Sequence, residues 1–388
     1  MMKKKVEMNS FTAMAILSIS FILTSGVSIN GTLPFIKKSL ELTQVKAELL
    51  STIPSITVII FILLSSSISK KIGMKKTVVI GLLLVCLGGV LPKFISNNYL
   101  MIFLGRLLLG AGFGMYNALS VSFINGLYSG RKRSELLGIR NAIEGLGQMV
   151  LTFVAGLLIT INWTNAYLIY FLSLPIALFF YRYVPEVVIQ TDRKKAPFSL
   201  SKPLVLTAIF ASSLVMNSIA VAVRFPSLAI ELKGETINTS LFLSIMPALG
   251  IIAGFLFERV IRLFHFKVIY VALGINILFN LFVYLSDYSF ILLLIGLFIS
   301  SVPVAWILPY IFNHIEQIAK GVDINQSTSV IFIGCNLGVL LSPVMMSLLN
   351  GLFHTTDLKF PFLCFVVFYL IVLLVIRLNH DKIEKFMN

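Results

Sequence analysis

Long apolar runs, each close to the length of a membrane-spanning helix, dominate this chain of 388 residues. A spanning helix needs about 20 mostly apolar residues. Only 12% of the residues are charged, whereas soluble domains carry about 25%. The sequence therefore predicts an all-α membrane protein with twelve transmembrane helices. The runs cover residues 11–35, 47–69, 77–95, 99–125, 136–160, 164–183, 203–228, 239–262, 268–286, 289–313, 325–350 and 360–378.

The positive charges, which give the chain a formal net charge of +15, follow the segments between these runs. With the N-terminus placed inside, 23 Lys and Arg residues fall on the inner side and 7 on the outer side. This positive-inside bias predicts a multi-pass protein of the cytoplasmic membrane with both termini in the cytoplasm, in contact with membrane lipids. The scattered bases form no continuous basic face, which excludes nucleic-acid binding.

The longest polar stretch between runs is residues 184–202, and it separates six runs from six. We predict an N-terminal six-helix bundle at 1–183, a cytoplasmic linker at 184–202 and a C-terminal six-helix bundle at 203–388. The halves also share spaced residues, which indicates a pseudo-symmetric parallel repeat. Gly105 matches Gly296 and Gly147 matches Gly338 at an offset of 191, and Pro34 and Pro54 match Pro226 and Pro247 at 192 and 193.

Two local motifs stand out. After the second run comes Lys70-Lys71-Ile72-Gly73-Met74-Lys75, where a turn needs glycine and the bases can meet anionic lipid. In the fourth run, Arg106 is followed by Gly110, Gly112 and Gly114. The first motif comprises Gly73, Lys70, Lys71 and Lys75.

These motifs, the two-half repeat and the six-plus-six organisation resemble the major facilitator superfamily over the whole chain. The fourth run looks like the family's Arg-x-x-x-Gly-x-Gly motif, and the loop looks like its loop 2–3 motif, although Lys70 stands where an acid is usual. The resemblance implies alternating access between two bundles, and it implies a gating role for the loop that holds Gly73, Lys70, Lys71 and Lys75. The drug-efflux-like and the cyanate/nitroimidazole-like branches both remain open. The fifth run has Glu144-Gly145-Leu146-Gly147 and lacks the proline of the family's antiporter pattern, Gly-Pro-x-x-Gly-Gly.

Ionisable residues are costly inside a bilayer and are by default candidates for function. Arg140 and Glu144 lie four residues apart, so they share one helix face and can pair. We predict that Glu144 carries the coupling proton, assisted by Arg140 and Arg106. The alternative is a static ion pair.

Six residues are candidates for substrate binding, each with a packing alternative. Arg106 could instead anchor backbone carbonyls, Arg224 could extend to the interface, the asparagines could tie helices together, and Trp306 could pack in a helix bent by Pro303 and Pro309. The candidates are Arg106, Asn117, Asn30, Asn217, Arg224 and Trp306.

We expect a secondary active transporter, a monomer coupled to protons, that exports small amphipathic compounds. Uptake of a small organic anion is the alternative, and a non-transporting scaffold or receptor is a more remote one. A P-loop, an H-E-x-x-H motif and metal-ligand spacing are all missing from the sequence, so we predict neither an enzyme nor a bound cofactor or metal.

Overall fold

The computed structural model describes residues 10–187, 200–319 and 324–380. These residues form helices and connecting turns, with no β-strand among them. Eleven helical segments within the described ranges are long and apolar enough to cross a membrane. One of them, Thr239–Asp287, has 49 residues and covers two predicted spans. The all-helical membrane class is therefore confirmed, and the twelve predicted spans are consistent with it.

The 49-residue segment divides at His265, whose φ is +48°. The Thr239–Phe264 helix ends there, a short 3-10 turn covers His265–Lys267, and the next helix begins at Val268. A non-glycine residue with positive φ cannot continue an α-helix. Two helices thus stand where hydropathy predicts two spans.

The described residues cluster into two compact units. The first unit holds the chain up to Ile29 and from Ile56 to residue 187. Its α-helices are Ser10–Phe21, most of Pro54–Ile72, Met74–Phe94, Tyr99–Leu127, Gly130–Ile159 and Ser173–Tyr183, with 3-10 segments at Ser25–Val27 and Trp163–Leu172.

The second unit holds Asn30–Ser55 and the described residues from 200 onward. It contains two short helices from the first half of the sequence, Leu33–Ser39 and Gln44–Thr52. Its other α-helices are Lys202–Lys233, Thr239–Phe264, Val268–Tyr284, Phe290–Ile299, Ser301–Asn313, Ile315–Ala319, Ile324–Leu352 and Phe360–Leu378, with 3-10 turns at Asn30–Thr32, His265–Lys267 and Leu285–Asp287.

Residues 188–199 of the expected linker lie outside the described residues, as do the two termini at 1–9 and 381–388. The division at 184–202 and the cytoplasmic placement of the termini stay predictions.

The first two predicted spans are interrupted rather than continuous. Between Phe21 and Leu33 the α-helix gives way to 3-10 turns in a stretch that contains Gly26 and Gly31. The second span breaks between Thr52 and Pro54, because proline has no N–H to donate to the carbonyl four residues earlier. Both interruptions lie close to the positions where the chain passes from one unit to the other.

Candidate functional site

A polar cluster lies in the first unit between the Tyr99–Leu127 and Gly130–Ile159 helices. Arg140 Nη1 lies 3.3 Å from Glu144 Oε2, which confirms the pair that the four-residue spacing predicts. Arg140 also donates from Nε to Ser120 Oγ (2.9 Å) and from Nη2 to Asn117 Oδ1 (3.1 Å). The guanidinium is thus held on three sides, and Asn117 is one of the groups that hold it.

Glu144 is the more accessible member of this pair. Its side chain is 26% exposed, against 10% for Arg140. A carboxylate in a membrane helix is stabilised by its cationic neighbour, whereas burial favours its neutral form. Small changes in the distance to Arg140 or in hydration can therefore shift the balance between the two forms, so this arrangement can take up and release a proton.

Arg106 is fully buried and contacts the interrupted part of the first helix. Its Nη2 donates to the carbonyl of Gly26, and its Nη1 donates to the hydroxyl of Tyr170 at 3.0 Å. Tyr170 in turn donates to the carbonyl of Ser25 at 2.8 Å. A buried carbonyl needs a partner. Arg106 supplies one for Gly26. The Tyr170 hydroxyl adds to the Ser28 N–H that already donates to the Ser25 carbonyl at 3.0 Å. The contacts support the anchoring alternative, and a role for Arg106 in substrate binding or coupling stays a prediction.

Arg224 lies in the second unit and is 2% exposed. It forms a two-pronged ion pair with Glu48, from Nε to Oε1 at 2.5 Å and from Nη2 to Oε2 at 3.1 Å. Its remaining nitrogen, Nη1, donates to the carbonyl of Leu358 at 3.1 Å. Arg224 therefore does not extend to the interface in this structure, and all three nitrogens bind protein atoms. Its proposed contact with substrate stays a prediction.

Three further substrate-binding candidates lie in the second unit, and each contacts a neighbouring segment. Asn30 accepts a hydrogen bond from Ser51 and donates to the carbonyl of Ala222. Asn217 donates to Asn276 at 3.3 Å. The indole of Trp306 donates to the carbonyl of Ala253 at 2.9 Å.

These contacts tie helices together, as the packing alternatives expect. The helix of Trp306 is broken near Ser300, as its prolines predict. The roles of these three residues in binding stay predictions.

The loop motif forms the expected turn. Gly73 has φ +92° and precedes the Met74–Phe94 helix. The carboxylate of Glu186 lies against this turn and accepts a hydrogen bond from the backbone N–H of Lys75 at 3.2 Å. A negative group at a helix N-terminus is favourable, and a Cβ at Gly73 would lie 3.1 Å from Glu186 Oε1. The carboxylate of Glu186 thus lies beside this loop, in which the side chains of Lys70 and Lys71 are exposed.

Sequence reasoning missed the partners of these groups. Glu48 is the second residue of the predicted span 47–69, near its outer end, yet it is fully buried. Glu48 and Arg224 have opposite charges at the predicted outer ends of two spans, and that is a signal by which the pair could have been found. No sequence signal links Tyr170 to Arg106.

Three similarities place this architecture among known proteins. The sequence matches the model of the Major Facilitator Superfamily over residues 13–289. The fold is similar to that of a D-xylose–proton symporter, with a TM-score of 0.72 and 17% identity over 94% of this chain and 96% of that chain. It is also similar to a peptide transporter POT in complex with sulfate, with a TM-score of 0.76 and 13% identity over 97% and 95%.

One curated relative, the bacillibactin exporter of Bacillus subtilis (strain 168), is 31% identical over 156 residues. The match covers 38% of this chain and 39% of the relative, so it spans about two fifths of that protein. With a family model that covers more than half of its length, this multi-pass membrane chain belongs to the Major Facilitator Superfamily of transporters.

Proposed function

We propose that this transporter exports small amphipathic compounds across the cytoplasmic membrane by alternating access, in exchange for protons. Export is supported by the relative that is named as an exporter. The observation that carries proton coupling is the Arg140–Glu144 pair within a membrane-length helix. We expect the protein to work as a monomer with both termini in the cytoplasm.

Glu144 would act as the proton carrier. In its ionised form it pairs with Arg140, which Ser120 and Asn117 hold in place. In its protonated form it no longer attracts the guanidinium strongly, so Arg140 can turn to other acceptors. The Thr24 hydroxyl donates to the backbone carbonyl of Glu144 at 3.3 Å. A movement of Glu144 that breaks its pair with Arg140 would therefore also affect its contact with Thr24, in the interrupted part of the first helix.

Gradient-driven accumulation in proteoliposomes tests this proposal. With an acidic lumen, an exchanger should accumulate compound inside as protons leave. The Glu144→Gln variant should lose this accumulation, yet keep binding and compound-for-compound exchange, because those steps need no net proton transfer.

Glu135→Gln is the matched control. Glu135 lies on the same helix, and its pair with Lys132 is exposed. This variant should accumulate compound like the parent. Accumulation at the parent rate by Glu144→Gln would overturn the role of Glu144, and a panel in which no compound is moved would overturn transport of this class.

Uptake of a small organic anion through Arg106 or Arg224 would require these guanidinium groups to exchange a protein acceptor for the anion.

A further inference from the structure

One buried hydroxyl group near the Arg140–Glu144 pair takes part in none of its contacts. Tyr116 lies in the Tyr99–Leu127 helix and is 0% exposed. Its hydroxyl oxygen, Oη, makes no hydrogen bond with any described residue. A buried polar group without a partner costs free energy, and native structures keep few of them. A second state of the cluster that gives this hydroxyl a partner is therefore favoured by it.

The position of Tyr116 on its helix brings it to the ion pair. Asn117 follows it directly, and Ser120 lies four residues later on the same helix face. Both of these residues accept hydrogen bonds from Arg140. Electrostatic interactions also link the Tyr116 hydroxyl to Arg140 and to Glu144. The hydroxyl thus belongs to this polar cluster, although it does not help to hold the guanidinium.

Neighbouring residues fix the ring of Tyr116. It meets the ring of Phe113 edge to face, with 6.3 Å between the centroids. The Met74–Phe94 helix packs closely on it, since a Cβ added at Gly81 would lie 3.0 Å from Tyr116 Cδ1. A ring packed in this way has little room to turn. A partner for the hydroxyl must therefore come to it, and the side chain of Glu144, which is 26% exposed, has more freedom to do so.

The other polar side chains around the pair are already engaged. Three of them accept hydrogen bonds from Arg140, namely Asn117, Ser120 and Asn141. An ionised carboxylate only accepts hydrogen bonds, whereas a protonated carboxyl group also has one O–H donor. In a buried site this donor needs an acceptor. The hydroxyl oxygen of Tyr116 can accept it, because no described residue occupies its lone pairs.

The titratable groups around Glu144 and Tyr116 lie on several elements of the first unit. The Ser10–Phe21 helix and the Ser25–Val27 turn, which pack on the helix of Glu144, carry none. Arg140 is the group that forms a salt bridge with Glu144. The others are Arg131, Lys132, Arg133 and Glu135 in the helix of Glu144, Tyr99 and Arg106 in the helix of Tyr116, Tyr167 and Tyr170 in Trp163–Leu172, Lys70 and Lys71 in Pro54–Ile72, Lys75, Lys76, Cys86 and Lys93 in Met74–Phe94, and Tyr181, Arg182 and Tyr183 in Ser173–Tyr183.

We infer that the hydroxyl oxygen of Tyr116 accepts the hydrogen bond of Glu144 when this carboxyl group is protonated. The carboxyl group keeps its proton, and Tyr116 neither gains nor loses one, so a hydrogen bond forms and no covalent bond changes. This inference rests on the proposed role of Glu144 as proton carrier and adds Tyr116 as its positioning residue. Because the hydrogen bond stabilises only the protonated form, its loss disfavours proton uptake.

Infrared difference spectroscopy on the purified protein tests this without substrate or flux. A carbonyl stretching band of a protonated carboxyl group that is present in the parent and missing in Glu144→Gln reports on Glu144. Tyr116→Phe removes the hydroxyl and keeps the ring. It should move this band to a higher frequency, because the carboxyl group loses its hydrogen-bond partner. The band should also reach half of its intensity about one pH unit lower than in the parent.

Tyr128→Phe is the matched control. Tyr128 directly follows the same helix, is also buried, and has a hydroxyl that makes no hydrogen bond with a described residue. This variant should keep the frequency and the pH dependence of the parent band. If Tyr116→Phe also keeps both, or if the two variants change the band equally, the inference is wrong.

A second measurement covers the case in which Tyr116→Phe does not fold. In the parent labelled with carbon-13 tyrosine, the C–O stretching band of one tyrosine should shift as Glu144 is protonated. The shift should be missing in Glu144→Gln. A tyrosine spectrum that does not respond to protonation of Glu144 overturns the inference.

The proposed function can fail separately from this inference. If no carboxyl band distinguishes the parent from Glu144→Gln at any pH, Glu144 does not carry a proton, and the inference is rejected with that role. If the band is present and Tyr116→Phe leaves it unchanged, the role of Glu144 stands and that of Tyr116 is rejected.

Discussion

The two halves of the sequence use the same close contacts but carry different charges. A Cβ at Gly147 would clash with the carbonyl oxygen of Phe21, and a Cβ at Gly338 would clash with that of Ser212. Gly147 and Gly338 are 191 residues apart, and so are Phe21 and Ser212. The same helix pair is therefore closely packed in each half, which supports the internal repeat at the level of atoms.

A second pair of contacts repeats at the same offset. An added Cβ at Gly105 would lie 2.8 Å from the carbonyl oxygen of Gly88, and one at Gly296 would lie 3.1 Å from that of Phe279. Gly88 and Phe279 are again 191 apart. Small residues that let two backbones approach are thus a shared requirement of both halves.

The charges do not repeat. At an offset of 191, Arg140 and Glu144 correspond to Ile331 and Cys335. Arg106 corresponds in the same way to Leu297. The close glycine contacts form in both halves with or without these charged groups, so the contacts themselves do not depend on the charges. The difference assigns the repeated glycines to the shared architecture and the unrepeated charges to roles that the two halves do not share.

The largest expected effect is on the buried pair, which has no internal repeat. Arg224→Ala should lower the free energy of unfolding by about 3–5 kcal/mol, because it leaves Glu48 buried without its partner. Thermal unfolding in detergent measures this loss. Glu235→Ala removes an exposed ion pair with Lys38. It should change the stability by less than about 1 kcal/mol. Equal losses for the two variants would remove the distinction between them.

Arg106→Met sharpens the comparison with its apolar counterpart Leu297. It should lower the stability by about 1.5–3 kcal/mol, because the carbonyl of Gly26 and the hydroxyl of Tyr170 lose a charged partner. Thermal unfolding with and without a panel of compounds separates anchoring from binding. If all compounds give the same stabilisation in parent and variant, Arg106 does not bind substrate; if one stabilises only the parent, it does.

Matched glycine substitutions test whether the halves are equivalent. Gly147→Ala and Gly338→Ala should each cost about 1–3 kcal/mol through overpacking. Gly138→Ala and Gly351→Ala lie in the same two helices, where an added Cβ has open space. These controls should be neutral or stabilising by up to about 1 kcal/mol. A large cost in only one half would contradict the shared contact.

The smallest effect is expected at the loop. Glu186→Gln should lower the stability by about 0.3–1 kcal/mol, because a charge is lost at the N-terminus of the Met74–Phe94 helix. Raising the salt concentration should shrink the difference between parent and variant, since exposed charges are screened. A difference that persists at high salt would mean that the contact does not act through charge.

Local patterns predicted much of this molecule because they depend on short stretches of chain. Hydropathy identified the spans, the four-residue spacing identified the Arg140–Glu144 pair, and Gly73 identified a turn with positive φ. The repeat offset of 191 identified glycines that later proved to make equivalent contacts.

Long-range partners were not predictable in the same way. Glu48 and Arg224 are 176 residues apart, and Tyr170 is 64 residues from Arg106. Such pairs depend on how helices pack, which periodicity does not encode. Hydropathy also did not predict that the first span is interrupted near Gly26, because it does not show whether an apolar run stays α-helical.

Proton movement during transport tests the central claim most directly. Proteoliposomes with a pH-sensitive dye in the lumen are given a transported compound from outside, without a preset gradient. Exchange for protons predicts that the lumen becomes alkaline in step with entry of the compound, and that Glu144→Gln abolishes the signal. Entry without a pH change, or with acidification of the lumen, would contradict export coupled to proton entry.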